Sequence, residues 1–249
     1  MVDLSSVTFI TPFAMVYLGM FLRYHSHRGC AFHWREPEDE KVRSYLASMR
    51  FYERFRFEPS FVLERQAGRS ELSTSLNNIL DVRKDPDSGD EVARQAADAL
   101  QRVPARPGPV AYIISELVDN FVQHSGTELP GTFTWQWFPQ RGVLSLALGD
   151  CGLGIRTTLQ RNEDFAHVGD WPDEKTISLA LEQRVSCQPG HGMGLTETVE
   201  HVIEARGRLI IASGSGRVII DQGGRMAPGK TGNELPGVQI GIQLPAPAE

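Results

Sequence analysis

Three groups of residues in this sequence have the types and spacing to do chemistry. The first lies in AYIISELVDNFVQHS, residues 111–125, where Glu116, Asn120 and His124 are spaced by four. On a helix that spacing stacks them along one line. A carboxylate there can orient a water, an amide oxygen can hold a hard cation, and an imidazole can meet an anion. Opposite them Val110, Ile113, Ile114, Leu117, Val118, Phe121 and Val122 recur at helical spacing and form a core-facing stripe. Taken alone, the polar line is also what the solvated face of any amphipathic helix looks like. The second group is Asp150-Cys-Gly-Leu-Gly-Ile155, coming off the end of a predicted strand. The third is Gly190-His-Gly-Met-Gly-Leu195, opening a later helix. Successive N–H groups at a helix start form an anion site, and glycine allows the backbone angles this needs. Asp-x-Gly alone is a common turn. The spaced glycines alone could begin a dinucleotide-binding unit. That motif, however, sets them directly after the first strand with an acid about twenty residues on. Here they follow a predicted helix and the polar run 183–189.

The three groups in this order resemble the pattern of the GHKL family, which includes gyrase, the histidine kinases and the MutL-type ATPases. The resemblance covers roughly residues 100–245. It implies ATP and Mg²⁺ as ligands and assigns roles to the residues. Glu116 would act on the attacking water, and Asn120 would give its side-chain oxygen to Mg²⁺. His124 would touch phosphate or cap the helix C-terminus, where positive charge is favourable. Asp119 would be a hydrogen-bond partner rather than a catalyst. Asp150 would accept a hydrogen bond from the exocyclic amine of adenine, with Gly152 and Gly154 letting the backbone approach the base. Gly190, Gly192 and Gly194, with Leu195 and Thr196 behind them, would hold the α- and β-phosphates. The Thr196 hydroxyl serves equally well as a phosphate contact or a local cap. The segment from about Arg156 to Pro189 would be a lid over the phosphates. Cys151 and His191 fall at variable positions and are assigned no chemistry.

Within the family the chain is most similar to the anti-sigma-factor serine kinases, which carry this Glu and Asn and often a histidine after them. A transducer domain with its phosphate-reaching lysine is not expected, nor a helical hairpin with a phosphoacceptor histidine. His25 and His27, in YHSHRG, do not match that motif. The implied function is Mg²⁺-dependent ATP hydrolysis, or phosphorylation of a Ser/Thr on a protein partner. The alternative is an ATP-gated interaction module with little turnover. The partner would be a STAS or sigma-factor-type regulator, and a homodimer is compatible with the pattern. At the other end of the chain, VDLSSVTFI and the following helix resemble part of a STAS domain. Thr11-Pro12-Phe13-Ala14 stands where that family has its phosphoacceptor turn. This implies a degenerate docking module; a plain cap domain fits the residues equally.

These groups need elements to hold them. Strands are predicted at 2–10 and 30–34, with helices at 13–25 and 38–49. Together these make a small α/β domain over residues 1–63. Phe51, Phe55, Phe57 and Phe61 are expected to pack at the domain junction. Residues 64–108 read as a linker, loop-rich over 70–87, with a leading helix at 89–103. Residues 109–249 read as the ATP-binding domain. After the organising helix come a hairpin of strands at 132–138 and 143–148, a short helix at 155–160 and helices at 172–181 and 195–205. A second hairpin, 208–212 with 217–220 around Gly214-Ser-Gly216, leads to a last strand at 238–244. Helices on one face of a mainly antiparallel sheet make an α/β sandwich, consistent with the Bergerat fold that the resemblance implies.

Composition narrows the classes. At 249 residues the chain holds one large or two small domains, and 41% hydrophobic with 22% charged residues is ordinary for a globular protein. A net charge of −6 argues against a general affinity for nucleic acid or acidic membrane. The apolar stretch 7–22 is too short to span a bilayer and is broken by Thr11, Pro12 and Gly19. Cys30, Cys151 and Cys187 are odd in number and have no metal or disulfide spacing, so a cytoplasmic protein is expected.

Overall fold

The computed structural model describes residues 1–55, 79–100, 103, 107–182 and 194–247. The expectations for Phe57, Phe61, Gly190, Gly192 and the segment 183–193 lie outside the described residues. The chain begins with strand β1 (Val2–Asp3), helix α1 (Pro12–His27), strand β2 (Trp34–Arg35) and helices α2 (Glu40–Ser48) and α3 (Phe51–Arg54). β1 and β2 pair in parallel. The strand expected over 2–10 stops at Asp3, whose carboxylate accepts both the N–H and the hydroxyl of Ser5 and turns the chain. The strand expected at 30–34 likewise pairs only from Trp34. Thr11 caps α1, its Oγ1 accepting the N–H of Ala14 at 3.1 Å, and Pro12 fills the first turn.

Strand β3 (Leu80–Val82), helices α4 (Pro86–Leu100) and α5 (Pro107–His124), and strands β4 (Gly131–Phe138) and β5 (Val143–Gly149) follow. Helices α6 (Gly154–Leu159), α7 (Asp173–Ala180) and α8 (Gly194–Glu204) then lead to strands β6 (Arg208–Ile220) and β7 (Met226–Pro245). β3 falls in a stretch read from the sequence as loop. Three residues are too few for a visible alternation, and it is a strand because β4 pairs with it. The hairpin expected around Gly214-Ser-Gly216 is also corrected. β6 runs on through it as one bulged strand paired with β7. The Ser215 N–H and hydroxyl both donate to Asp173 Oδ2, each at 2.8 Å, so this segment is anchored to α7 rather than folded into a turn. The chain reverses instead at 221–225, where Asp221 Oδ1 accepts the N–H groups of Gly223 and Arg225.

The sheet has the order β3-β4-β5-β7-β6 and is antiparallel throughout. In β5 leucines alternate with small residues. Leu144, Leu146 and Leu148 face one side and meet Ile240, Ile242 and Leu244 of β7 and the apolar stripe of α5. α4, α5, α6, α7 and α8 all contribute to this core, so the helices after residue 85 share one face, as an α/β sandwich requires. Ser145, Ala147 and Gly149 face the other side, and there α1 lies against β4, β5 and β7. A Cβ on Gly149 would come within 2.7 Å of Val16, and one on Gly241 within 2.7 Å of Phe13. The lack of side chains is what lets the helix approach. The sheet is therefore covered on both faces, with Met15, Val16 and Met20 buried beneath the second layer.

An ion network fastens that layer. Arg23 of α1 donates to Asp81 Oδ1 of β3 at 2.7 Å and to the Pro130 carbonyl and Thr132 Oγ1 at 2.7 and 2.9 Å. Arg54 of α3 donates to Asp81 Oδ2 at 2.7 Å and to the Ile79 carbonyl at 3.0 Å. Two largely sheltered guanidinium groups thus share one carboxylate at the sheet edge. Asp81→Ala leaves both without their counter-ion and should lower unfolding stability by about 2–3 kcal/mol. Denaturant midpoints check this, and a loss below about 0.5 kcal/mol would reduce the network to an ordinary surface pair.

Candidate functional site

α5 buries Val110, Ile113, Ile114, Leu117, Val118 and Phe121, all at 2% exposure or less, and Val122 packs at the rim. The opposite line reads Tyr112, Glu116, Asn120, His124, one residue per turn. Its lower half faces α8. The Tyr112 hydroxyl makes a short hydrogen bond to Glu197 of α8, and the His201 ring meets Tyr112 edge-on at 5.1 Å between centroids. Glu116 is half-buried. Desolvation first, then the nearby Asp119 and Glu197 carboxylates, raise its pKa above the ordinary carboxylate value, while a hydrogen bond from Tyr112 opposes the rise. The Asn120 Nδ2 is buried and has no hydrogen-bond partner among the described residues. A buried amide without a partner is costly, and a polar ligand at this position would relieve that cost. His124 sits in the last turn, where a positive charge meets the helix dipole favourably.

The Asp150 turn docks on the end of this helix. The Ser125 carbonyl, one residue past α5, accepts the Leu153 N–H at 2.8 Å. Gly152 sits directly against that carbonyl, and any Cβ there would overlap it. Gly154 has φ +75°, which favours glycine, and its successor Ile155 donates its N–H to Ser213 Oγ at 3.0 Å. Ser213 in turn donates to the Gly237 carbonyl at 2.8 Å. Asp150 is 3% exposed, and its carboxylate accepts the N–H of Gly152 at 2.7 Å and of Val238 at 3.2 Å. Burial outweighs these two bonds and pushes its pKa up to about 6. Each oxygen accepts one of these bonds and keeps lone-pair capacity for one further donor. Behind the turn, Cys151 donates its thiol to the Met20 carbonyl of α1 at 3.4 Å. The turn is thus held between α5 and α1, and Cys151 serves packing.

At the start of α8, Gly194 begins the helix and Leu195 packs on the core. The Thr196 hydroxyl donates to the Glu182 carbonyl at 3.3 Å, which ties this helix start to the end of the α7 segment. The segment expected to be a lid is, over 156–182, largely packed. Val168, Ile177 and Leu181 are buried in the core, Arg156 lies 3.4 Å from Asp173, and the Lys175 ammonium sits 3.5 Å above the Trp171 ring. The rest of that segment, 183–189, lies outside the described residues.

Glu116, Asn120 and His124 therefore share a line, and the Asp150 turn adjoins its upper end. The chemistry available is a half-buried carboxylate with a raised pKa, an amide for a cation, and a buried acceptor for a donor-bearing ring. Sequence reasoning passed over Tyr112 and Glu197. The signal for Tyr112 was present, since it extends the same four-residue spacing downward. Glu197 has no signal short of the packing of α8. A scan against protein-family models finds no match for this chain, and a search of the curated proteins finds no matching relative.

Asp150 also sets a pH dependence. Its folded pKa lies above the ordinary 3.8. The stability linked to its protonation is therefore full below about 3.8 and lost as pH rises through about 6. Between pH 4 and 7 the wild type should lose roughly 2 kcal/mol relative to Asp150→Asn. Parallel unfolding curves across that range would show that Asp150 is not perturbed.

Proposed function

We propose that this chain is a Mg²⁺-dependent ATP-binding protein of the GHKL type, nearest to the anti-sigma-factor serine kinases. It hydrolyses ATP or transfers its terminal phosphoryl group to a Ser or Thr of a protein partner. The observation that carries the reading is the docking of the Asp150 turn on the end of α5. It puts a buried acceptor suited to adenine beside a line of residues suited to a metal-bound phosphate chain.

In this reading Asp150 accepts the adenine amine. Guanine has a carbonyl at that position and would meet two acceptors with no proton between them, so it is rejected. Asn120 holds Mg²⁺ through its amide oxygen, which fits a hard cation with few protein ligands. Its partnerless buried nitrogen supports a polar occupant at this place. Bound Mg²⁺ supplies charge neutralisation for the phosphates. Glu116 takes the proton of the attacking water or hydroxyl, and the burial that raises its pKa makes it a stronger base than an exposed carboxylate. The N–H groups at the start of α8 serve the phosphates. The odd number and wide spacing of the three cysteines support a cytoplasmic role, and no helix among the described residues is long and apolar enough to cross a membrane. The partner proposed is a STAS or sigma-factor-type regulator, with the first 55 residues as its docking module or simply as the sheet's cover.

One observation favours the second reading, an ATP-gated binding module with little turnover. Neither α5 nor α8 carries a lysine or arginine. A cation for the terminal phosphate would then come from another part of the chain, a partner or a second subunit. Calorimetric titration of Mg-ATP, with GTP as control, tests the site. Binding of ATP alone, lost in Asp150→Asn, is expected; no binding by the wild type would refute the proposal. Glu116→Ala should keep ATP affinity within about threefold and lower turnover at least a hundredfold, the usual scale for a lost general base. Equal turnover would remove Glu116 from the mechanism. Asn120→Ala should abolish the Mg²⁺ dependence of binding, and an unchanged metal titration would exclude it as the ligand.

A further inference from the structure

We infer that the strip of sheet beside α1, over β6, is the docking groove for an acidic amphipathic helix of another protein. The sheet's second layer is unfinished there. α1 lies against β4, β5 and β7, and in the strand order β4-β5-β7-β6 it is centred on β5. β6 stands two strand spacings from β5, about 9–10 Å away. Two packed helices are separated by the same distance, about 8–10 Å. A second helix laid beside α1 would therefore rest on β6 and complete the layer. Among the described residues, the helices in contact with β6 are α6, α7 and α8, and these belong to the core on the opposite face.

The groove there has a volume of about 800 Å³. One wall is Phe13, Tyr17 and Phe21, half-buried and spaced by four along α1. Such a line is a ridge of the kind that packs into the surface of a neighbouring helix. The floor is Ile210 and Ala212, on the face of β6 opposite the core residues Leu209 and Ile211. One end is cationic. Arg217 of β6 and Lys230 of β7 line it and are exposed, and Arg217 gives its Nε–H to the Lys230 carbonyl at 3.2 Å. The Tyr17 hydroxyl donates to the Asn233 carbonyl at 3.3 Å and fixes this end against α1. Among the described residues no carboxylate lines the groove, and no salt bridge uses Arg217 or Lys230. The chain as a whole carries a net charge of −6, so it repels an acidic segment in general and attracts one here. The carboxylates of that segment would meet Arg217 and Lys230, and its apolar stripe would meet the aromatic ridge and Ile210. A bilayer is the poorer fit, because it takes up an apolar face, whereas these aromatics line a recess.

The inference gives a surface to the docking role proposed for the first 55 residues, and it does not rest on the nucleotide reading. The test selects, on the full chain, from a display library of helical peptides about 20 residues long, or about 30 Å. Fluorescence polarisation then measures the recovered peptides on wild type, on Ile210→Glu and on the double variant Arg217→Glu/Lys230→Glu. Both charged side chains are exposed, so their reversal spares the core, and circular-dichroism melts check that each variant folds. The recovered peptides are expected to carry apolar residues at i, i+3, i+4 and i+7 with acidic residues beside them. They should bind the double variant at least about tenfold more weakly, the scale of lost hydrogen bonds between charged groups, and should weaken as salt is raised. Peptides that bind the double variant and Ile210→Glu as tightly as wild type overturn the groove and leave the docking role to another surface. No enrichment, or enrichment of basic peptides, also overturns it. Two further results would replace the helix by another occupant and overturn the inference. One is binding to phosphatidylcholine–phosphatidylglycerol vesicles that the double variant loses. The other is a dimer in analytical ultracentrifugation that the double variant splits.

Discussion

One strand constrains everything around it. β5 is leucine on one face and serine, alanine and glycine on the other, so its two faces accept different partners. The leucine face needs bulk, and α5 supplies it. The small-residue face admits a backbone at close range, and α1 takes that place. The strand then ends at Asp150. The turn that follows has no freedom left, because Cys151 reaches back to α1 and Leu153 reaches the end of α5. Two-sided packing is what turns a common Asp-x-Gly sequence into a rigid, buried carboxylate.

The electrostatics of the region are one-sided. Glu116, Asp119 and Glu197 gather where α5 meets α8, neither helix carries a lysine or arginine, and Asp150 is buried. Burial raises the pKa of both Glu116 and Asp150, and at Glu116 the neighbouring carboxylates add to the rise. By contrast, basic side chains elsewhere by the sheet are used for structure. Arg23 and Arg54 hold Asp81, and Arg156 lies beside Asp173.

Much of the fold was readable in advance because the signals are local. The apolar stripe of α5, the proline and threonine opening α1 and the alternation in β4 each act within a few residues. Signals failed where a distant partner decides. Asp3 ends β1 by binding Ser5, β3 exists because β4 pairs with it, and Gly214-Ser-Gly216 is a bulge because Asp173 binds Ser215. The candidate site divides the same way. The spacing of Glu116, Asn120 and His124 could be read from a helical period alone, whereas the place of Tyr112 in the site depends on α8.

The sequence by itself determined which residues share a helix face, which stand at turns and which must be buried, since these follow from backbone periodicity and side-chain chemistry within one segment. Only the tertiary structure decided that α1 covers the second face of the sheet, that the Asp150 turn rests on the end of α5, and that Glu197 meets Tyr112. Those contacts join residues far apart in the chain. They are selected by how small and large side chains fit across two layers, which no local pattern encodes.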